Sequence, residues 1–191
     1  EADFLVETLG CWVSQSRPPE EIILVDNGST DGSAGIARSF LSAAAGKIPW
    51  RIIEEPRPGK VRALAAGCAQ AGGTWIVFSD ADTDYPPHYL ELCDRIVAGS
   101  PSNVVAAMAL PAAGDPLRPA ARWGRWAYVR LTRLSRKHAH TGGYGHVLRR
   151  DALLACGGYD EERWPYVLAD HEIMHRLLRL GSSVYHRDLW C

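Results

Sequence analysis

Hydrophobic positions along this chain switch repeatedly between two spacings. Phe4 to Ser16 carries apolar residues three and four apart, the period of an amphipathic helix. Glu21 to Asp26 holds an unbroken Ile-Ile-Leu-Val block that stops at Asn27-Gly28, the pattern of a buried strand. Thr30 or Asp31 can cap a helix running to about Ala45. A second strand is expected over Trp50–Glu54 and a helix over Lys60–Ala71, closed by Gly72-Gly73. Thr74–Ser79 reads as a third strand, and Pro86-Pro87 opens a helix through Val97. Val104–Leu110 is a fourth strand and Arg122–Lys137 a helix. Gly145–Arg149 and Ser182–His186 read as strands, and Asp151–Ala155 and Ala169–Leu180 as helices.

Strands that alternate with helices imply right-handed crossovers. The expectation is a single α/β domain with a mostly parallel sheet and helices on both faces. Such sheets bind ligands beyond the carboxyl ends of their strands. No linker divides the chain; the Pro/Gly/Ala stretch 111–121 is the best candidate for a long loop and separates residues 1–110 from 111–191.

Composition narrows the function classes. With 191 residues, 47% hydrophobic and 23% charged, the chain can bury one sizeable core and is neither disordered nor fibrous. Lys+Arg (21) nearly balance Asp+Glu (22), so no polycation suggests nucleic acid. The balance hides a split: residues 115–140 hold seven basic residues against the single acid Asp115. The apolar run Val104–Ala113 is too short to span a bilayer. Five widely spaced cysteines without a CxxC pair fit a reducing, cytoplasmic compartment better than a disulfide framework.

Two acidic clusters fall at expected strand ends. Asp80-Ala81-Asp82 follows the third strand, and alternate residues of an extended segment point the same way. Two hard oxygen donors suit Mg²⁺ or Mn²⁺ completed by water and substrate phosphates; the bland alternative is a solvated acidic turn. Asp26-Asn27-Gly28-Ser29 follows the first strand. There Asp26 can accept hydrogen bonds from a nucleobase N–H or a ribose hydroxyl, while Gly28 permits the sharp turn. A plain turn with a helix cap would look the same.

Four motifs, VDNGSTDGS, PGKVRALAAG, FSDADTDYPP and GGYDEERW…ADHEIMHRLLRLG, occur in one order from about Phe4 to the chain end. Together they resemble the family 2 glycosyltransferases of the GT-A fold, a Rossmann-related architecture. The resemblance implies an inverting transferase that uses a nucleotide-diphosphate sugar and a divalent metal. It implies nucleobase contact for Asp26 and its neighbour Asn27, nucleotide contact for Lys60, Arg62 and Asp80, metal ligation for Asp82, and the catalytic base for Asp170. Two positions depart from the family pattern: Ala169 stands for the Glu of its Glu-Asp pair, and Ala65 for an Asn. The family also opens with a strand whose loop reaches the nucleotide, whereas this chain opens inside the following helix. That strand is therefore expected to lie outside this sequence, in a longer natural protein.

Other readings compete. His171-Glu172-Ile173-Met174-His175 spells HExxH, which on a helix can bind zinc with Glu172 as base. The glycine of the extended pattern is Leu178 here, and a third ligand is offered only by His186 or Asp188. A nucleotidyltransferase would also use carboxylates and metal, but no glycine-rich phosphate loop precedes Asp26. The alanines at 65 and 169 admit a degenerate fold serving as a binding module.

Acceptor recognition is expected in the segment Thr141–Trp164, where Tyr144, Tyr159 and Trp164 offer aromatic faces for sugars. The acceptor class is a glycan, a lipid-linked molecule or a small molecule. The helix at 122–137 carries one apolar stripe, Trp123, Trp126, Ala127, Leu131 and Leu134, beside Arg122, Arg125, Arg133 and Arg136. It is a candidate contact for an anionic membrane surface, which would make the protein peripheral at an inner membrane face. An ordinary surface helix with a solvated basic face is the plain alternative.

Overall fold

A computed structural model describes residues 2–110, 118–134, 145–164 and 168–191. Helix α1 (Ala2–Val13) leads into strand β1 (Ile22–Asp26), followed by α2 (Ser33–Ala44) and β2 (Trp50–Glu54). Then come α3 (Lys60–Gln70), β3 (Trp75–Val77), α4 (Tyr89–Ala98) and β4 (Val104–Leu110). The last elements are α5 (Pro119–Leu134), β5 (His146–Arg149), α6 (Arg150–Ala155), α7 (Ala169–Leu177) and β6 (Ser182–Trp190). Every expected element is present within a few residues. The cap position of α2 is Gly32, at φ 80° and with no side-chain cap hydrogen bond, rather than the expected Thr30 or Asp31; Asp31 Oδ1 accepts from the Ser33 amide at 3.1 Å just outside it.

The strands form two sheets. β1 and β2 pair in parallel, with Ile22 opposite Trp50 and Asp26 opposite Glu54. The other four run in the order β3-β5-β4-β6. The expectation of a mostly parallel sheet holds for strand direction, since β3, β4 and β6 run alike, with β5 as the one reversed strand of this sheet. β4 and β6 are parallel, but β5 runs antiparallel to both β3 and β4. Parallel neighbours require a crossover that returns the chain to the starting end of the sheet. Between β4 and β5 the chain instead re-enters at the end where β4 leaves, and α5 packs along β6. Alternation of helix and strand in a sequence does not reveal that difference.

β4 is the axis of the core. All seven of its residues are buried, and its two faces feed different clusters. Val105 and Met108 pack with Leu148, Leu153, Ile173 and Met174. Ala107 and Ala109 pack with Trp12, Tyr85, Tyr89 and Leu189. A third cluster joins Leu5 and Leu9 of α1 to Ala37 and Leu41 of α2, over β1 and β2. The reversed strand can enter this core only through a glycine. Gly145 sits at φ +62°, and a Cβ there would lie 2.5 Å from the Ala109 Cβ and 2.9 Å from Tyr89 Oη. Tyr89 Oη donates to the Gly145 carbonyl at 3.1 Å, fixing the approach.

These contacts predict a graded response to alanine at two positive-φ glycines. Gly28 has open space around its missing Cβ, so Gly28→Ala should cost only backbone strain, about 1 kcal/mol. Gly145→Ala adds the clash of an overpacked core and should cost about 2–4 kcal/mol in all. Urea unfolding midpoints of the two variants measure the difference; equal losses would contradict the packing described.

Candidate active site

The carboxyl ends of β1 and β3 and the first turn of α7 meet at one side of the sheets. Each contributes an acid for a local reason. β1 ends at Asp26, whose Oδ1 accepts from the Ser29 amide at 3.1 Å and tightens the following turn. β3 runs out into the Asp80-Ala81-Asp82 turn. That turn is held from beneath by α1: Trp12 Nε1 donates to Ser79 Oγ at 3.1 Å, and Thr8 Oγ1 donates to the Ala81 carbonyl at 3.0 Å. Asp80 is half-buried and Asp82 exposed. Asp170 lies in the first turn of α7, where the helix dipole favours a negative charge.

Lys60 ties these acids together. It opens α3, and its Nζ donates to Asp80 Oδ1 at 2.8 Å. Burial alone would lower its pKa, but the hydrogen bond and charge of Asp80, with the fields of Asp170 and Asp82, outweigh burial and raise it. Lys60 therefore stays a full cation between three carboxylates. Tyr159 feels the same fields: burial pushes its hydroxyl well above the ordinary phenol value, and Asp170 and Asp80 push the same way.

The remaining expected site residues fall into three groups. Asn27 is committed to its own scaffold. Its Nδ2 donates to the carbonyls of Glu55 (2.9 Å) and Arg57 (2.8 Å), and its Oδ1 accepts from the Gly59 amide at 2.7 Å. It locks the β1–α2 turn to the loop that delivers Lys60. Arg62 is paired with Glu161, joining α3 to the loop after α6. Tyr159 is not an open stacking face, as expected from sequence. It is 7% exposed and packs edge-on to Phe78 within the core, with ring centroids 5.6 Å apart. Trp164 is half-buried, and Tyr144 lies outside the described residues. Ala65 and Ala169 both pack against the core cluster of β4.

Some residues that complete the site carried no sequence signal. His146, the first residue of the reversed strand, is fully buried with Nδ1 3.9 Å from Asp170 Oδ1. A lone histidine in an apolar strand has no spacing to betray it. Trp12, Thr8 and Glu161 act through long-range contacts that no local motif encodes.

The HExxH helix is differently employed. Glu172 holds Arg176 through two bonds of 2.7 and 2.6 Å. Arg176 in turn donates to the carbonyls of Cys156 and Gly158 at 2.6 and 2.7 Å. The pair braces the loop after α6 against α7, and its partial burial keeps it from being a freely solvated bridge. Among the described residues no three His, Cys, Asp or Glu side chains gather as a metal cage. The Asp80-Ala81-Asp82 turn does fit a hard divalent cation of another kind. It offers only carboxylate oxygens, one acid exposed, and leaves most of the coordination sphere for phosphate oxygens and water.

Comparison with known proteins matches this architecture. The sequence model described as "Glycosyl transferase family 2" matches residues 1–157. A curated relative, glycosyltransferase AglE of Haloferax volcanii, is 32% identical over 55% of this chain and 34% of its own length. The undecaprenyl-phosphate 4-deoxy-4-formamido-L-arabinose transferase of Serratia proteamaculans is 28% identical over 95% of this chain and 57% of its own. The solved structure of a mannosyltransferase from Pyrobaculum calidifontis, in complex with GDP-Man and Mn²⁺, superposes with a TM-score of 0.80. It is 20% identical and covers 100% of this chain, which covers 53% of it. The chain thus spans between a third and somewhat over half the length of these proteins.

The clamp made by Asn27 is directly testable. Asn27→Ala removes three hydrogen bonds from two loops, and at about 1 kcal/mol each, discounted for partial exposure, should destabilise by about 1–3 kcal/mol. Hydrogen exchange should quicken at the Gly59 amide while the amides of β4 keep their protection. Unchanged exchange at Gly59 would show that the clamp is not formed.

Proposed function

Because the chain belongs to glycosyl transferase family 2, we propose that it transfers a sugar from a nucleotide-diphosphate donor to an acceptor hydroxyl, inverting the anomeric carbon. The observation that carries the reading is Lys60 bound to Asp80 within the field of Asp82 and Asp170. A donor diphosphate brought with a divalent metal would engage both kinds of group, the phosphate oxygens facing the Lys60 ammonium and the metal facing the carboxylates.

In this reading the first half of the chain, 1–110, receives the donor, and 111–191 supplies the base and the acceptor surface. Asp26 accepts from the nucleobase or ribose, and Asn27 keeps its turn in register with the Lys60 loop. Asp80, held by Lys60, sits beside the ribose. Asp82 would hold Mg²⁺ or Mn²⁺, which when bound neutralises the charge that grows on the diphosphate leaving group. Asp170 accepts the acceptor proton as the oxygen attacks the face opposite the departing diphosphate. One base and one displacement give inversion. Arg62, paired with Glu161, holds the post-α6 loop near the nucleotide side, and Trp164 is the remaining described aromatic on the acceptor side.

A lipid-linked acceptor is favoured over a free glycan or small molecule. The Serratia proteamaculans relative takes undecaprenyl phosphate by its name, and the basic segment 122–137 provides a surface that can meet an anionic membrane. No helix among the described residues is long and apolar enough to cross one. In this reading the segment 122–137 makes a peripheral contact at a cytoplasmic membrane face.

Two variants separate donor binding from chemistry. Asp170→Asn should keep Mn²⁺-dependent binding of a nucleotide sugar yet lose about a hundredfold to ten-thousandfold in transfer. Asp82→Ala should lose the binding itself. A panel of nucleotide sugars scanned by thermal shift identifies the donor, and product anomeric configuration by NMR reads the stereochemistry. Full transfer by Asp170→Asn, or a retained anomeric configuration, would overturn the mechanism.

A further inference from the structure

Helix α5 is turned the wrong way round for a surface helix. Its apolar stripe should face the body of the protein, leaving the arginines in water. Instead Trp123 is 69% exposed, Trp126 42% and Leu131 64%. The inward side is formed by Val129 and Arg125, each 9% exposed. Arg125 is satisfied there: its Nε donates to the Arg187 carbonyl at 2.9 Å, and its guanidinium lies 5.9 Å from the Trp190 ring centroid. The inversion is thus a packed arrangement and not a loose helix.

Beside the outward stripe, α5 and β6 enclose a groove of about 260 Å³ lined by Trp126, Val129, Arg130, Tyr185, His186 and Arg187. Arg130 stands over the Trp126 ring at 5.7 Å from its centroid. Arg187 and His186 share Asp188 at 3.6 and 3.8 Å. The groove lining thus joins the aromatic faces of Trp126 and Tyr185 to the basic side chains of Arg130, His186 and Arg187.

We propose that this groove seats the phosphate of an anionic membrane phospholipid, with Trp123, Trp126 and Leu131 lying in the bilayer interface. Charge complementarity selects that occupant. Residues 115–140 carry seven basic residues against one acid in a chain that is otherwise net acidic. An aromatic and leucine face flanked by arginines is the composition of an interfacial helix. Arg130 and Arg187 fix the phosphate, and the tryptophans take the level of the glycerol backbone, where amphipathic rings favour the boundary.

Tyr185 in the groove stands opposite Met108, and Met108 opposite His146, whose Nδ1 is 3.9 Å from Asp170 Oδ1. The backbones of Tyr185 and His146 are therefore two strand spacings, about 10 Å, apart. The docking itself does not depend on the transfer reaction.

Sedimentation of the 191-residue chain with vesicles tests it, in the absence of any nucleotide. Phosphatidylcholine vesicles containing phosphatidic acid should bind at least about tenfold more tightly than phosphatidylcholine alone. Arg130→Gln/Arg187→Gln should weaken that binding about thirtyfold, and Trp123→Ser/Leu131→Ser about tenfold or more. Inorganic phosphate at constant ionic strength should not release the protein. Four results would overturn the proposal: equal binding to neutral vesicles, undiminished binding by the arginine variant, full release by inorganic phosphate, or a serine variant that turns a self-associated wild type into monomer without lipid. All four side chains are exposed or half-exposed, so the variants should melt as the wild type does; if one pair fails to fold, the other still decides. Because no donor is present, a failed sugar transfer and a failed docking are read separately.

Discussion

The contact on which the site turns is the ion pair between Lys60 and Asp80, made within the fields of Asp170 and Asp82. Asp80, Asp82 and Asp170 come from two distant parts of the chain, and Lys60 is the cation that lets them stand together. Its ammonium bonds Asp80 at 2.8 Å. The surrounding devices serve the same end. The dipole of α7 favours Asp170, the Asn27 clamp holds the loop that presents Lys60, and α1 pins the turn that carries Asp80 and Asp82.

The reversed strand β5 makes the convergence geometrically possible. Running antiparallel, it brings its first residue to the carboxyl ends of β3 and β4. His146 thus arrives beneath Asp170 and buries one flank of it. The entry demands Gly145, because the chain passes against Ala109 and Tyr89 with no room for a side chain. A parallel strand in the same slot would have delivered its other end, and α7 would have lacked its buried neighbour. Topology and chemistry are coupled at that one glycine.

Much of this could be read from the residues in order, and the exceptions share a cause. Strands β1, β2 and β4 and the helices between them follow from local periodicity, which reports burial of neighbouring positions. The acidic turns were visible because they close apolar runs. Strand direction was not, because a sequence records where strands lie but not which end the chain re-enters. The same holds for Trp12 and Thr8, whose partners lie 67 and 73 residues away, and for Asn27, whose side chain is spent on the next loop. Tyr159 looked like a sugar platform because aromatic residues near glycines often are; in three dimensions the core claims it. The apolar stripe of α5 is legible from its spacing, but periodicity alone cannot say which way it faces.

The central claim is that the carboxylate cluster around Lys60 is a site for a nucleoside diphosphate carried with a divalent cation. Isothermal titration of UDP and of GDP, each with Mn²⁺ and again with chelator, tests it most directly. The account predicts that one of the two nucleotides binds with Mn²⁺, that chelation abolishes the heat, and that Asp82→Ala abolishes it too. Equal binding with and without the cation, or no binding of either nucleotide by the folded chain, would contradict it.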